Sequence, residues 1–211
     1  MLRLCILFTI CLAVFAFSAS AQKKTNERPV VKEVAGEPFD KADVKTMAAQ
    51  CVKLETEAGV IELEMFPERA PESVRNFLNL AATGAFDTTT FSRVVSGFVI
   101  QGGDLFTREK MTEQMAKRAR RTIPDEPSLI KHERGFISMA RPTEPNSATT
   151  NFFILVDSAS SLDGSFAVFG RVTKGMDVVD AINKAAVTNE KPEKPVRIKM
   201  AGAAKCSAAN P

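Results

Sequence analysis

An arginine and a glutamine interrupt two otherwise apolar, strand-like segments between residues 91 and 104. Arg93 follows Phe91 and precedes two valines, and Gln101 ends the run that begins at Phe98, on the far side of a glycine bend at Gly97. A charge within apolar sequence is costly to bury unless it has a partner. The structural interpretation is an arginine that snorkels to solvent or forms an ion pair. The functional interpretation is a polar pair beside an apolar pocket.

The sequence lacks the other common sets of catalytic residues. Its single histidine, His132, lies between Lys131 and Glu133, and we expect it at the surface rather than as a catalytic base. One histidine cannot build a metal site of several imidazoles. The glycine pair at 102–103 lacks the rest of a dinucleotide or phosphate-binding motif, and no serine lies in a nucleophile elbow. We therefore expect no metal and no cofactor, and an enzyme without a covalent nucleophile.

The composition indicates a globular protein of ordinary type. The 211 residues are 45% hydrophobic and 25% charged, which favours one folded domain with an extension. The net charge of +3 is too small to argue for a nucleic-acid partner, so none is expected. The aromatic residues are 15 phenylalanines with no tryptophan or tyrosine, so no ring brings a hydrogen-bonding group of its own.

Residues 1–21 have the pattern of a secretory signal peptide. Arg3 precedes an apolar run over residues 4–17, and small residues end the segment at Ala21. The run is shorter than the roughly 20 apolar residues that a membrane-spanning helix needs. We therefore expect cleavage after Ala21, a mature chain with no membrane span, and export. The periplasm is the expected destination, with secretion or the lumen of a secretory pathway as alternatives.

Cys51 and Cys206 are the cysteines that remain after the signal is removed. In an exported protein they can pair in a disulfide, or they can stay independent thiols. The sequence leaves both alternatives open, because pairing depends on how closely the two Cα atoms approach. No Cys-x-x-Cys pair occurs, so neither a zinc knuckle nor a thioredoxin-type site is supported.

The main domain is predicted to span residues 50–203, with a tail over 204–211. Before it, residues 22–49 are polar and interrupted by prolines, which predicts a linker containing a short helix over 40–50. Within the domain, residues 104–131 form a variable loop or helix rich in basic residues. Acidic residues are interspersed there, so a solvated surface helix is a commoner explanation than a basic patch for an acidic partner or a membrane.

Hydrophobic periodicity predicts many short strands and two main helices. Alternation over 52–56 and 61–65 predicts a hairpin. Helical spacing predicts helices over 71–84 and 176–184. This mixture favours a mainly β protein, a closed antiparallel barrel rather than a doubly wound sheet. Further strand-like runs lie at 91–95, 98–101, 136–140, 152–156, 167–172 and 196–200.

The segment from 91 to 104 resembles the core motif of the cyclophilin family of peptidyl-prolyl cis-trans isomerases. Five other motifs agree in the same order, and the resemblance covers roughly residues 50–201. The stretch from Met139 to Thr149 is similar to bacterial exported members, which also carry a changed loop like 104–131. The resemblance implies an eight-stranded closed antiparallel barrel capped by two α-helices. The agreeing motifs lie at 70–77, 135–140, 151–154, 162–164 and 168–172.

The resemblance also implies a mechanism. Rotation about a bond preceding proline must break amide resonance, against a barrier of about 18–20 kcal/mol. In the twisted transition state the prolyl nitrogen becomes pyramidal and regains a lone pair, so a fixed donor aimed at it favours that state over the planar one. By resemblance Arg93 is this donor. Gln101 would hold a substrate carbonyl and orient Arg93, and Phe98 completes the implied catalytic group.

Further residues are implied to bind a proline-containing peptide. Apolar side chains would grip the proline ring, and the backbone beside them would contact the extended peptide. The pocket residues so implied are Phe98, Val99, Phe153, Leu162 and Phe166, the backbone contacts come from Ala140 and Arg141, and Asn151 is the remaining binding residue.

Three positions depart from the family pattern. Asn151 stands where glutamine is usual, and Phe166 stands where many members have histidine. Ser161 stands where many members place a tryptophan that helps to bind the family's cyclic immunosuppressant peptide. The resemblance therefore does not carry high affinity for that drug to this chain, although isomerase chemistry is not directly affected.

Two functions follow as expectations. The first is a peptidyl-prolyl isomerase that assists folding of exported proteins, since proline isomerisation limits many folding reactions. The alternative is a module on the same fold that binds proline-containing segments as a chaperone or assembly factor, with weak or no catalysis. Arg93, Phe98 and Gln101 favour the enzyme, whereas Asn151 and Ser161 favour the alternative. We expect proline-containing polypeptides as partners and a monomer, because nothing in the sequence demands an oligomer.

Overall fold

The structure, a computed structural model, describes residues 36–206. The predicted signal peptide, the first part of the predicted linker and residues 207–211 lie outside this range. Within it, an eight-stranded antiparallel sheet is accompanied by four α-helices and a small two-stranded ribbon. The helices are α1 (Val44–Ala48), α2 (Pro71–Ala82), α3 (Glu113–Ala119) and α4 (Met176–Asn183).

The strands confirm the prediction of a mainly β, antiparallel architecture. In the sheet their order is β10, β1, β2, β7, β5, β6, β4 and β3, and β8 pairs with β9 in the ribbon. Their bounds are β1 (Gln50–Thr56), β2 (Val60–Met65), β3 (Arg93–Val95), β4 (Val99–Gly102), β5 (Phe136–Met139), β6 (Phe152–Leu155), β7 (Val168–Lys174), β8 (Val187–Thr188), β9 (Lys191–Pro192) and β10 (Ile198–Lys205).

The predicted closure of the barrel is not confirmed, because the sheet is an open, curled half-barrel with β3 and β10 as its edges. An isolated bridge between Thr90 and Arg197 joins the segments beside these edges. Around it, the Thr88 N–H donates to the Ile198 carbonyl at 2.8 Å, the Ile198 N–H donates to the Thr89 carbonyl at 2.8 Å, and the Phe91 N–H donates to the Val196 carbonyl at 2.9 Å. The physical reason lies at β3, which is three residues long. Its central amide, the N–H of Val94, donates to the carbonyl of Glu190 at 2.8 Å, so the ribbon meets this edge.

The main core is formed by the sheet with α2 and with Val179 and Ile182 of α4. Phe77 of α2 is 1% exposed, and its ring lies 5.1 Å from that of Phe86, 5.1 Å from Phe152 and 5.0 Å from Phe169. Rings at such separations and tilted angles pack favourably. Five of the 15 phenylalanines therefore serve ordinary packing in this core: Phe77, Phe86, Phe91, Phe152 and Phe169.

Segment 104–131 contributes to the fold through Glu126. The N-cap residue of α2, Ala70, has no side chain that can accept a hydrogen bond. The Glu126 carboxylate takes that role, accepting from the N–H of Glu72 at 2.9 Å and from the N–H and hydroxyl of Ser73 at 2.8 Å each. An acceptor from a distant segment thus satisfies the free amides at the start of the helix.

Three of the seven basic residues of the same segment contact carboxylates. Arg118 and Arg121 contact Glu37, with N–O distances of 2.6 and 3.2 Å. Lys117 pairs with Glu113 one helical turn away at 2.7 Å. These contacts fit the expected surface helix better than a free basic patch.

Residues 36–49, the described part of the predicted linker, pack against the domain instead of standing free. Met47 of α1 is fully buried, and the side chain of Asn79 binds the Phe39 amide at 2.7 Å and the Asp40 carboxylate at 2.9 Å. The short helix predicted over 40–50 corresponds to α1. The sequence could not show how the segment packs, because its few scattered apolar residues make no periodic pattern. At the other end, β10 continues to Lys205, two residues beyond the predicted domain boundary.

Cys51 and Cys206 form a disulfide in the structure, with their Cα atoms 4.8 Å apart. The bond ties the end of the edge strand β10 to β1, and it closes a loop with a sequence separation of 155 residues.

No helix within residues 36–206 has both the length and the apolar character that crossing a membrane requires.

Replacing both cysteines, Cys51→Ser with Cys206→Ser, should lower the free energy of unfolding by about 2–5 kcal/mol, because the cross-link restricts the unfolded chain. Urea unfolding followed by circular dichroism measures the change. Wild-type protein treated with a reductant should match the double variant and serves as the control. Equal stability of the oxidised protein and the variant would contradict the expectation.

Candidate active site

Arg93 and Gln101 lie directly opposite each other on β3 and β4. Arg93 Nη1 donates to Gln101 Oε1 at 3.3 Å. Side chains alternate between the faces of a strand, so the fully buried Ile100 packs into the main core while its neighbour Gln101 lies on the other face. The register also places Gln101 opposite Phe153 of β6, which brings the polar pair beside an aromatic ring.

Asn183, at the end of α4, holds the turn that joins β3 to β4. Its side-chain amide donates to the carbonyls of Val95 and Val99 at 2.9 and 3.1 Å, and its oxygen accepts from the N–H of Gly97 at 2.9 Å. Gly97 has a φ of 71°, a conformation that favours glycine. This role of Asn183 is not visible in the sequence, because an asparagine at the end of a predicted helix gives no sign of a long-range contact.

An apolar pocket lies on the same face of the sheet as the polar pair. It belongs to a cluster separate from the main core, built from β4, β6 and the loop after β6. Phe153 is 6% exposed, and its ring lies 6.0 Å from that of Phe166 in an edge-on arrangement. The cavity has a volume of about 140 Å³ and is lined by Arg93, Phe98, Val99, Gln101, Ala140, Arg141, Phe153, Leu162 and Phe166.

Nine of the ten catalytic and binding residues expected from the sequence therefore surround one cavity. The exception is Asn151, which is not among the lining residues. Its carbonyl accepts from the N–H of Ala140 at 2.9 Å, so it contacts the site through the backbone of a lining residue. Ser161, the third position that departs from the family pattern, is exposed next to Leu162.

The Arg141 side chain supports the rim of the cavity. Its Nε lies 3.3 Å from the Asp125 carboxylate, and its Nη2 donates to the carbonyl of Ser165 at 3.1 Å. The guanidinium carbon lies 5.2 Å from the centre of the Phe166 ring, a cation–π distance. Arg141 thus holds Phe166 in place, in addition to the backbone contact expected of it.

The prediction that His132 lies at the surface is wrong. Its side chain is 0% exposed, and Nδ1 lies 3.0 Å from Asp163 Oδ1, an oxygen that also accepts from the His132 backbone N–H at 2.8 Å. The ring is 6.5 Å from the rings of both Phe153 and Phe166. The charged neighbours of His132 in the sequence concealed its burial behind the pocket, because an irregular segment has no periodicity to reveal it.

Hydrogen bonds to His132 lower the pKa of the Asp163 carboxyl from its usual value of 3.8, first through the His132 backbone N–H and then through its side chain. Asp163 follows Leu162 in the loop that borders the cavity, so this contact anchors a wall of the pocket.

A second contact that the sequence does not reveal joins Arg93 to Glu190, whose carboxylate lies 2.7 Å from Arg93 Nε.

The geometry provides a fixed cationic donor beside an apolar cavity that is open to solvent. In the part of the chain that the structure describes, no group of three or more histidine, cysteine, aspartate or glutamate residues could hold a metal ion. The chemistry available to the residues present is hydrogen bonding and charge stabilisation toward a bound apolar group.

Comparison with known proteins agrees with this geometry. Residues 51–203 match the family model described as "Cyclophilin type peptidyl-prolyl cis-trans isomerase/CLD". Peptidyl-prolyl cis-trans isomerase A of Dickeya dadantii is 38% identical over 162 residues, which are 71% of this chain and 82% of that protein. Peptidyl-prolyl cis-trans isomerase B of Escherichia coli is 40% identical over 145 residues, 64% of this chain and 85% of that protein.

Solved structures give the same result. A cyclophilin-type isomerase of Cryptosporidium parvum matches with a TM-score of 0.66 and 28% identity, over 75% of this chain and 99% of that one. A second structure of that protein, determined in the presence of the dipeptide Ala-Pro, has a TM-score of 0.64 and 30% identity, over 72% and 97% of the two chains. The chain therefore belongs to the family of cyclophilin-type peptidyl-prolyl cis-trans isomerases.

The Asp163 contact predicts a defined pH dependence. A carboxyl with a lowered pKa in the folded state adds stability above its unfolded pKa, and this stability is lost as the pH falls through the folded value. The difference in unfolding free energy between wild type and Asp163→Asn should therefore shrink as the pH falls below 3.8. Urea unfolding at a series of pH values measures it, and a difference that does not change with pH would contradict the assignment.

Proposed function

We propose that this protein catalyses cis-trans isomerisation of bonds preceding proline in exported polypeptides. The observation that carries the proposal is the Arg93 guanidinium, held by Gln101 beside the apolar cavity. A proline residue offers an apolar ring next to the amide nitrogen whose geometry changes during rotation. A pocket and a donor set side by side match those two features of the substrate.

Each part of the site has a role in this reaction. The apolar walls formed by Val99, Phe153 and Leu162 bind the proline ring, for which phenylalanine without a polar group is well suited. Arg93 then donates toward the prolyl nitrogen as it becomes pyramidal, and stabilises the twisted state more than the planar one. Gln101 orients Arg93 and leaves its amide N–H₂ to bind a substrate carbonyl.

The similar Cryptosporidium parvum structure supports the class of ligand. It was determined in the presence of Ala-Pro, a dipeptide that contains proline. In this chain all nine lining residues come from a single copy, so the proposed site needs no second chain, and we propose that a monomer is active.

A binding module with weak catalysis is the second candidate. It is supported by the departures at Asn151, which does not line the cavity, and at Ser161, which is exposed and provides no ring. Such a module would bind the same proline-containing segments, so only the rate of isomerisation separates the two candidates.

Replacing Arg93 with alanine should reduce kcat/KM for a proline-containing peptide by about 100-fold or more, the usual cost of removing one transition-state donor. Exchange between the cis and trans peptide, followed by NMR, measures the rate. Arg171→Ala is the matched control, because Arg171 lies on β7, pairs with Glu64 and does not line the cavity. If wild type and Arg93→Ala both show only the uncatalysed rate while peptide binding persists, the binding module is the correct function.

We further propose that the protein works after export, on clients that fold in an oxidising compartment. The pattern of residues 1–21 supports this, as does the Cys51–Cys206 disulfide, because such bonds persist mainly in oxidising compartments. The mature protein isolated after expression with its own N-terminal segment should begin at Gln22. N-terminal sequencing of that protein tests the expectation, and recovery of an intact Met1 would overturn it.

A further inference from the structure

Arg93 has a second partner, Glu190, which no motif in the sequence connects with the site. Glu190 lies in the turn between β8 and β9, 97 residues away in sequence, and its Oε2 accepts from Arg93 Nε at 2.7 Å. The carbonyl of the same residue accepts from the N–H of Val94, the next residue on β3, at 2.8 Å. The ribbon therefore contacts β3 through both the backbone and the side chain of Glu190.

The two partners of Arg93 hold different nitrogens of its guanidinium. Nε donates to Glu190, and Nη1 donates to Gln101 at 3.3 Å. Since the guanidinium is planar, two anchors on separate nitrogens fix the rotation of the whole group. The structure gives Nη2 no partner among residues 36–206, so this nitrogen is free to donate to a bound substrate.

The backbone at Glu190 is in a conformation that a residue with a side chain adopts at a cost. Asn189 and Glu190 have φ values of 51° and 64°, as the two central residues of a two-residue hairpin turn require. Glycine is strongly preferred at the second of these positions, and asparagine tolerates the first. Glu190 therefore opposes the local preference, and strained residues of this kind are concentrated at functional sites.

Stability does not account for the ion pair. The side chains of Arg93 and Glu190 are 42% and 51% exposed, and ion pairs this open to solvent contribute little to folding. A glycine at 190 would still supply the carbonyl that binds Val94. Compared with glycine, the glutamate adds a carboxylate that accepts a hydrogen bond from Arg93 Nε.

We propose that Glu190 is a positioning residue for the isomerase reaction: its carboxylate fixes the Arg93 guanidinium so that Nη2 is directed toward the prolyl nitrogen. The inference rests on the proposed function, in which Arg93 is the donor. Small errors in the placement of a catalytic group reduce rates strongly, whereas binding of the proline ring depends on other walls of the cavity.

Glu190→Gly tests the proposal while retaining the turn. We expect kcat/KM to fall by about 10-fold to 100-fold, mostly in kcat, with an unchanged Kd for a proline-containing peptide and unfolding stability that is equal or higher. Glu190→Gln keeps an acceptor oxygen and should recover part of the rate. Asn189→Gly is the matched control, because it relaxes the other strained position of the same turn without a contact to Arg93, and it should keep the wild-type rate.

The dependence of the isomerisation rate on salt concentration is a further test. A purely structural role of Glu190 would not make the rate depend on salt. With an uncharged peptide, raising the salt to roughly 1 M, where the screening length is about 3 Å, should lower the wild-type rate toward that of Glu190→Gly. The Glu190→Gly rate should change little. Identical salt responses of the two proteins would count against a charge-based role for Glu190.

NMR of the Arg93 Nε–H group separates failure of this inference from failure of the proposed function. A wild-type signal that shifts in Glu190→Gly is expected. If wild type is active and Arg93→Ala is not, but Glu190→Gly matches wild type, then Glu190 does not position Arg93 and only this inference is overturned. If wild type is inactive, the proposed function fails. In that case the NMR signal still tests this inference: an Arg93 Nε–H signal that is identical in wild type and Glu190→Gly would show that Glu190 does not fix the guanidinium.

Discussion

The register between β3 and β4 is the constraint on which the rest of the site depends. It sets Arg93 opposite Gln101 and, through β6, sets Gln101 opposite Phe153. A slip of one residue would exchange the two faces of the strand and bury the polar pair in the main core. The Asn183 side chain holds the turn and so fixes this register, by bonding three backbone groups around Gly97.

The two faces of the sheet have different roles: one packs the main core, and the other forms the cavity. Phe77, Phe152 and Phe169 pack in the main core, while Phe153 and Phe166 form the separate cluster at the cavity. Because the pocket must stay open to a peptide, contacts behind it keep its walls in place. His132 and Asp163 provide this support from the buried side, and Arg141 provides it from the rim.

An open sheet has two edges, and unpaired edges invite association with other chains. Here both edges have local contacts. At the β10 edge, Ile198 accepts from the N–H of Thr88 and donates to the carbonyl of Thr89, each at 2.8 Å. At the other edge, the β8–β9 ribbon meets β3 through Glu190. The ribbon contact brings a carboxylate to Arg93, so the element that protects the edge also completes the surroundings of the catalytic group.

Hydrophobic periodicity predicted the strands of the eight-stranded sheet and the two longer helices, but not the β8–β9 ribbon. The motifs that carry the resemblance predicted the family and nine residues of the cavity. Periodicity and motifs are properties of contiguous residues, so both can be read from the chain. Tertiary structure decided the open form of the sheet, the burial of His132, the packing of residues 36–49, the pairing of Cys51 with Cys206, and the roles of Asn183 and Glu190. Each of these depends on contacts between segments far apart in the chain. Such contacts leave no periodic trace in the sequence, since loops and turns bring the partners together only in the folded molecule.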